Sequence, residues 1–283
     1  MQKKVLGIIG SPISHTLSPA MHNRAAKILG LPYNYVAFDV APSGLKKAID
    51  SFRTLGIAGL NVTVPHKEKV VQYLDELDSD ALTIGAVNTI SVKGGRLKGF
   101  NTDRAGFLRS LKVKGFSPRG KKTSIIGAGG SARAIGVSLL NAGAGHVTVI
   151  NRTASNGRKL ADHLSKFGQA SFIGSASPEA ADALLESDLV VQATSLGMKK
   201  ADPLPAPKQA FRKKQWVYDI IYSPEETRFL KNAKSKGART LNGMGMLIYQ
   251  GSASFKIWTG HNFPEDKIFI YLKRYLSREK RSG

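Results

Sequence analysis

The feature that most constrains the fold of this 283-residue chain is an alternation. Short apolar runs alternate with segments whose apolar residues recur at helical spacing, and glycines sit at the joints. A short apolar run bounded by turn residues reads as a buried strand, and parallel strands need a helical crossover between them. The alternation therefore predicts an α/β protein with mostly parallel sheets.

The first series begins with a strand at 5–9. Ser18-Pro19 then opens a helix, with Ser18 as N-cap, Met21, Ala25 and Ile28 on its apolar face, and Gly30 as its stop. Strands follow at 33–40 and 60–64, on either side of a helix marked by Leu45, Ile49 and Phe52 and closed by Gly56. Segments 87–92 and 96–101 flank Lys93-Gly94-Gly95, which predicts a hairpin. A helix at 103–114 leads into the glycine- and proline-bearing loop 115–120, where a domain boundary is expected. Beyond it the rhythm restarts. Strands are expected at 123–126, 147–150, 189–193 and 217–221, and helices at 131–142, around Leu160 and Leu164, and at 225–236. A buried helix over 243–260 and an amphipathic one over 264–276 end the chain.

Gly127-Ala128-Gly129-Gly130-Ser131-Ala132 joins the strand at 123–126 to the helix that follows and fits the fingerprint G-x-G-x-x-A. In that context Gly127 makes the tight turn, Gly129 lets the backbone approach a pyrophosphate, and Ala132 permits close helix packing. The helix start adds N–H groups and positive dipole. A plain tight turn is the alternative. The next strand ends in Asn151-Arg152-Thr153, where NAD sites usually carry an acid for the ribose hydroxyls. A guanidinium there pairs with a 2′-phosphate, so NADP is expected over NAD, unless Arg152 is an ordinary surface charge.

Polar clusters stand at Asn61-Val62-Thr63-Val64-Pro65-His66-Lys67, Asn88-Thr89 and Asn101-Thr102-Asp103. Strand ends entering helices are where α/β proteins place their chemistry, and a lysine there is a candidate proton-transfer group. Asn, Thr and Asp also serve as caps and turn formers, and spacing alone leaves both readings open.

Lys and Arg number 42 against 20 Asp and Glu, a formal net charge of +22. Such a field attracts anions, nucleic acid included. The basic residues are spread along the chain, with the densest patch at 273–281, and no zinc finger, RNP motif or KH loop is recognisable. A solvated surface is expected, with no nucleic-acid partner. The chain has no cysteine, which excludes disulfides, Cys-based zinc sites and thiol catalysis. The six histidines show no metal-ligand spacing, so no metal is expected. No apolar run reaches the roughly 18–20 residues that span a bilayer. The apolar start at 5–9 is too short for a signal peptide, so a cytoplasmic protein without a membrane partner is expected.

The motifs taken together resemble those of the shikimate dehydrogenase (shikimate/quinate dehydrogenase) family nearly end to end. The matching stretches include Gly10-Ser11-Pro12-Ile13-Ser14-His15-Thr16-Leu17-Ser18-Pro19, Asn61 to Lys67, Gly85-Ala86-Val87-Asn88-Thr89, Asn101-Thr102-Asp103, the glycine loop, Asn151-Arg152-Thr153, Ala193-Thr194-Ser195, Asp219-Ile220-Ile221-Tyr222 and residues 243–250. The resemblance implies NADPH-dependent reversible reduction of 3-dehydroshikimate to shikimate, a step toward the aromatic amino acids. It implies an N-terminal α/β substrate domain (1–104 plus 240–283) and a Rossmann-like NADP-binding domain (105–239), with C-terminal helices returning to the first. It implies Lys67 and Asp103 as the catalytic pair, and Thr16, Ser18, Asn61, Thr63, Asn88, Tyr222 and Gln250 as substrate ligands. Gly127, Ala128, Gly129, Gly130, Ser131, Ala132, Asn151, Arg152, Thr153, Thr194, Ser195, Gly243 and Met246 would hold NADP. The protein would be a monomer or homodimer. Two positions depart from the commoner family pattern: Thr16 stands where Ser is frequent, and Asn156 where a second base is frequent, so Arg152 carries most of the NADP expectation. A quinate/shikimate dehydrogenase with relaxed cofactor use, and a noncatalytic nucleic-acid-binding paralogue, are the competing readings.

Overall fold

The computed structural model describes residues 3–282, with side chains up to Arg278. Met1, Gln2 and the last side chains of the basic stretch 273–281 lie outside the described residues. The chain divides into two compact units, Met1–Gly106 with Ile248–Gly283, and Phe107–Leu247.

The elements run β1 (Lys4–Gly10), α1 (Ser18–Ile28), β2 (Tyr33–Asp39), α2 (Leu45–Thr54), β3 (Gly59–Val62), β4 (Glu76–Leu77), α3 (Ser79–Ile84), β5 (Thr89–Lys93), β6 (Arg96–Phe100) and α4 (Asp103–Val113). They continue with β7 (Lys122–Ile126), α5 (Gly130–Asn141), β8 (His146–Asn151), α6 (Ala154–Leu164), β9 (Ala170–Gly174), α7 (Glu179–Glu186), β10 (Leu189–Gln192), β11 (Trp216–Asp219), α8 (Arg228–Ser235), β12 (Arg239–Leu241), α9 (Met244–Thr259) and α10 (Glu265–Ser282). The unit divisions fall within α4 and α9.

The first unit holds a six-stranded sheet in the order β2-β1-β3-β5-β6-β4. β1 is parallel to β2 and β3, and β5 runs antiparallel to both β3 and β6. The β5–β6 hairpin turns through Gly94-Gly95, with Lys93 paired to Arg96. Leu45, Ile49 and Phe52 of α2 bury against Ile9, Leu60, Val62 and Ile90 of the sheet, as their spacing predicts. One local expectation is corrected. Ser18 does not cap α1: the N-cap is Leu17, and the Ser18 N–H donates to the Thr16 hydroxyl at 3.3 Å. The hydroxyl two residues earlier takes the amide, so the helix begins one residue sooner.

The second unit holds six strands, all parallel, in the order β12-β11-β10-β7-β8-β9. The chain leaves β7 toward β8 and β9, then returns to β10 on the opposite flank, as in a Rossmann-like doubly wound sheet. The reversal lies between β7 and β10, and the loops after their carboxyl ends flank the crevice where such sheets bind ligands. Val190, Val217, Ile126 and Ile150 form the buried layer, covered by Phe229, Leu230 and Leu184. No described helix is long and apolar enough to cross a membrane.

Candidate active site

Lys67 lies in the loop after β3, and its backbone is fixed before its side chain is placed. Its carbonyl accepts from Val87 N–H at 2.8 Å, and His66 anchors the same loop through Nε2, 2.6 Å from the Val40 carbonyl oxygen. Asp103 is the first residue of α4, where helix N–H groups favour a carboxylate. Lys67 Nζ lies 2.6 Å from Asp103 Oδ2, with the two side chains 11% and 6% exposed. A buried ion pair persists only where its remaining hydrogen-bonding capacity is also met. Here Asp103 Oδ1 accepts from Asn88 Nδ2 at 2.8 Å.

Asn88 is the hub of the surrounding network. Its Nδ2 also reaches Thr102 Oγ1 at 2.9 Å and Gln250 Oε1 at 3.3 Å, while its Oδ1 accepts from the Thr102 N–H at 2.8 Å. Asn61 accepts from the Tyr35 hydroxyl at 2.7 Å and donates to the Asn88 carbonyl at 3.0 Å and to Ser254 Oγ at 3.2 Å. The structure thus brings Asn61, Lys67, Asn88, Asp103 and Gln250 into one connected cluster. Thr16 and Ser18 form a pair of their own, with the Thr16 hydroxyl donating to Ser18 Oγ at 3.2 Å. Thr63 sits at the end of β3, its N–H bonded to the Ile9 carbonyl at 2.9 Å.

Two members of the cluster escaped sequence reasoning. Ser254 is fully buried in α9, 2.7 Å from Thr89 Oγ1 and 3.1 Å from Thr102 Oγ1. The available signal was its i, i+4 spacing from Gln250 on a helix otherwise rich in apolar residues. Tyr35 is the second. His22 stacks on its ring at a centroid distance of 4.5 Å, and both His22 ring nitrogens lack a hydrogen-bond partner. Complete burial lowers the His22 pKa to about 3, so the ring is neutral.

In the second unit the glycine loop follows β7. Gly127 is buried at φ +115°, and a Cβ there would stand 2.9 Å from Thr194 Cγ2 and 3.0 Å from the Ala193 carbonyl oxygen. The first glycine is therefore required both by its turn and by the close approach of the loop after β10. At Gly129 a Cβ would meet nothing within 4 Å, and no side chain caps α5, whose first turn includes Gly130, Ser131 and Ala132. Open space beside a helix start is the arrangement a phosphate group needs, so these residues fit a dinucleotide. Ala128, between the two glycines, is half-buried. Asn151 ends β8 and turns its Nδ2 onto the Thr153 carbonyl at 2.9 Å, leaving Arg152 exposed beside it with no carboxylate in Asn151-Arg152-Thr153. Thr194 is half-buried and Ser195 exposed after β10, Tyr222 is half-buried after β11, and Gly243 and Met246 are buried at the start of α9. Among the described residues no group of three or more His, Cys, Asp or Glu is placed to hold a metal.

Family models match three stretches of the chain: the shikimate dehydrogenase substrate binding domain over 8–90, shikimate / quinate 5-dehydrogenase over 111–200, and the shikimate 5'-dehydrogenase C-terminal domain over 243–268. The chain is 46% identical to a shikimate dehydrogenase (NADP(+)) of Methanopyrus kandleri, across 93% of this chain and 92% of that one. Among solved structures it resembles shikimate 5-dehydrogenase from Thermus thermophilus in complex with NADP(H) and shikimate, with TM-score 0.85 and 35% identity over 96% of this chain and 99% of that one. It also resembles quinate dehydrogenase from Corynebacterium glutamicum in complex with NAD, with TM-score 0.87 and 29% identity over 97% of this chain and 100% of that one. Sequence motifs, sheet topology and relatives of this identity agree, and the chain belongs to the shikimate dehydrogenase family.

Proposed function

We propose that this chain catalyses the reversible NADPH-dependent reduction of 3-dehydroshikimate to shikimate. The observation that carries the reading is the buried Lys67–Asp103 pair at 2.6 Å, held in a cluster of amide and hydroxyl groups. When bound, NADPH supplies the hydride. As hydride reaches the ketone carbon, negative charge grows on oxygen, and the Lys67 ammonium stabilises that charge and delivers a proton. Asp103 orients Lys67 through Oδ2 and accepts a hydrogen bond from the substrate hydroxyl, and in the reverse direction the neutral Lys67 amine takes the hydroxyl proton back. Thr16, Ser18, Asn61, Thr63, Asn88, Tyr222 and Gln250 hold the carboxylate and hydroxyls, and the Asn61 amide also braces Asn88 through its backbone carbonyl. Such donors and acceptors reject a substrate that would leave one of them buried and unpaired.

In this reading Met1–Gly106 with Ile248–Gly283 is the substrate-binding unit and Phe107–Leu247 the NADP-binding one. The loop 127–132, with Thr194, Ser195, Gly243 and Met246, carries the dinucleotide, and Arg152, flanked by Asn151 and Thr153, pairs with the 2′-phosphate. The open space at Gly129 supports the first assignment, and the exposed guanidinium at the end of β8 supports the second.

A second reading, quinate oxidation with NAD, draws on the likeness to the Corynebacterium glutamicum enzyme. One assay decides: reduced cofactor formed from shikimate or quinate, with NADP or NAD. Shikimate with NADP is the expected best pair. Turnover confined to quinate and NAD would replace it with the second reading, and no turnover with either substrate would remove both.

A further inference from the structure

The second unit buries a carboxylate that none of these contacts uses. Asp219 ends β11, Gln192 ends β10, the two are paired in register, and both are fully buried. Asp219 Oδ1 accepts from the Ile221 N–H at 3.0 Å, and Oδ2 accepts from the Thr227 hydroxyl at 2.6 Å. Gln192 turns onto the loop after its own strand: Nε2 donates to the Leu196 carbonyl at 2.9 Å and the Thr194 carbonyl at 3.3 Å, and Oε1 accepts from the Thr194 N–H. The two side chains also meet, Gln192 Nε2 lying 3.4 Å from Asp219 Oδ1.

Helix capping does not account for this arrangement. Thr227 caps α8 by accepting from the Leu230 N–H, and the Asp219–Thr227 bond supports that cap. The bonds to Ile221 and Gln192 have no such purpose. Burial pushes the Asp219 carboxyl up to about 6 against the pull of the Thr227 and Ile221 bonds. A buried carboxylate retained at a strand end is a local conflict of the kind that marks a functional constraint. Residues 220 and 221 are held from another side as well. Gly243 N–H donates to the Ile221 carbonyl at 3.0 Å, and a Cβ on Gly243 would lie 1.9 Å from the Ile220 carbonyl oxygen. The Ile221 residue is thus gripped at its N–H by Asp219 and at its carbonyl by Gly243.

We propose that Asp219 and Gln192 form a positioning pair that locks the loop carrying Thr194 and the loop carrying Tyr222 into a single arrangement. The proposal rests on the reading above, in which Thr194 serves NADP and Tyr222 serves the substrate. Neither member touches a reacting atom. Each acts through the loop that it holds, and the contact between them makes the two loops one mechanical element.

The test uses the full-length chain with Asp219→Ala, Asp219→Asn and Gln192→Ala. Asp219→Ala is expected to raise KM for both NADP and shikimate about fivefold, with kcat changed less, and Asp219→Asn to recover most of the loss. A merely structural Asp219 would lower thermal stability and leave both KM values in place. Amide exchange supplies a readout independent of activity. In Asp219→Ala, segments 193–197 and 220–222 should both exchange about tenfold faster, while β7 keeps its protection. Loosening of 220–222 alone, or of neither segment, overturns the pairing. If the wild-type chain fails to turn over shikimate with NADP, the functional reading falls and the exchange pattern still decides the pairing. Should Asp219→Ala fail to fold, Gln192→Ala carries the same exchange measurement, with loosening of both segments expected and loosening of one alone, or of neither, overturning the pairing.

Discussion

Around Lys67 the first unit gathers side chains, and around Gly127 the second clears them away. In the first, an ammonium, a carboxylate, amides and hydroxyls bond to one another at 2.6–3.3 Å in a largely buried cluster. In the second, the loop after β7 removes Cβ atoms where backbone comes close at Gly127, and leaves space open at Gly129. In the proposed function the contrast follows from what each region handles. Moving a proton requires groups that can gain or lose one, held in register by neighbours with satisfied hydrogen bonds. Holding a phosphate requires N–H donors and room, which backbone and a helix start supply without side chains.

Lys67→Ala is the strongest challenge to this division. Turnover should fall about 10³-fold, while shikimate affinity measured by calorimetry stays near wild type. A comparable loss of NADP affinity would show that the two regions are not functionally separate.

The first unit also carries a fully buried side chain through which acid removes stability. His22 has a folded-state pKa of about 3 against an ordinary 6.5, so the folded state disfavours its protonation. Its contribution to stability is complete above 6.5 and is lost progressively as pH falls from 6.5 toward 3. At about pH 5 the wild type should have lost about 2 kcal/mol more than His22→Phe, relative to neutral pH. Urea unfolding at both pH values checks this, and parallel profiles for the two proteins would exclude His22 as the source.

Arg152→Ala tests the side chain assigned to the 2′-phosphate in the second region. NADP should bind about tenfold more weakly with NAD little changed. Equal weakening of both cofactors would move the 2′-phosphate contact elsewhere. Ser254→Ala should have the smallest effect, about 1 kcal/mol of stability, because the Asn61 amide and the Thr89 and Thr102 hydroxyls each keep another partner. A larger fall in kcat than in stability would promote Ser254 from support of the cluster to positioning of Asn88.

Much of this was legible in the chain. The strands at 5–9 and 123–126, the helix carrying Leu45, Ile49 and Phe52, and the hairpin through Gly94-Gly95 all lie where apolar period and turn chemistry place them. What escaped shares a physical cause. β9 is an edge strand with no fully buried residue, so its pattern is weak, and β12 has three residues, too few for periodicity to separate from loop. Ser254 escaped because its importance comes from partners on β5 and the loop before α4, not from its neighbours in sequence.

The residues alone determined the α/β class and the strand–glycine–helix joint after β7, because each depends on contacts within a few positions of chain, and the missing acid in Asn151-Arg152-Thr153 carries the expectation of NADP. The motifs also marked Lys67 and Asp103 as candidates. Only the tertiary structure decided that the two meet: 36 positions separate them, and the distance between such groups is set by the packing of β3 against β5 and β6. The same holds for Asp219 and Gln192, neighbours across a parallel sheet whose strand order no local pattern encodes.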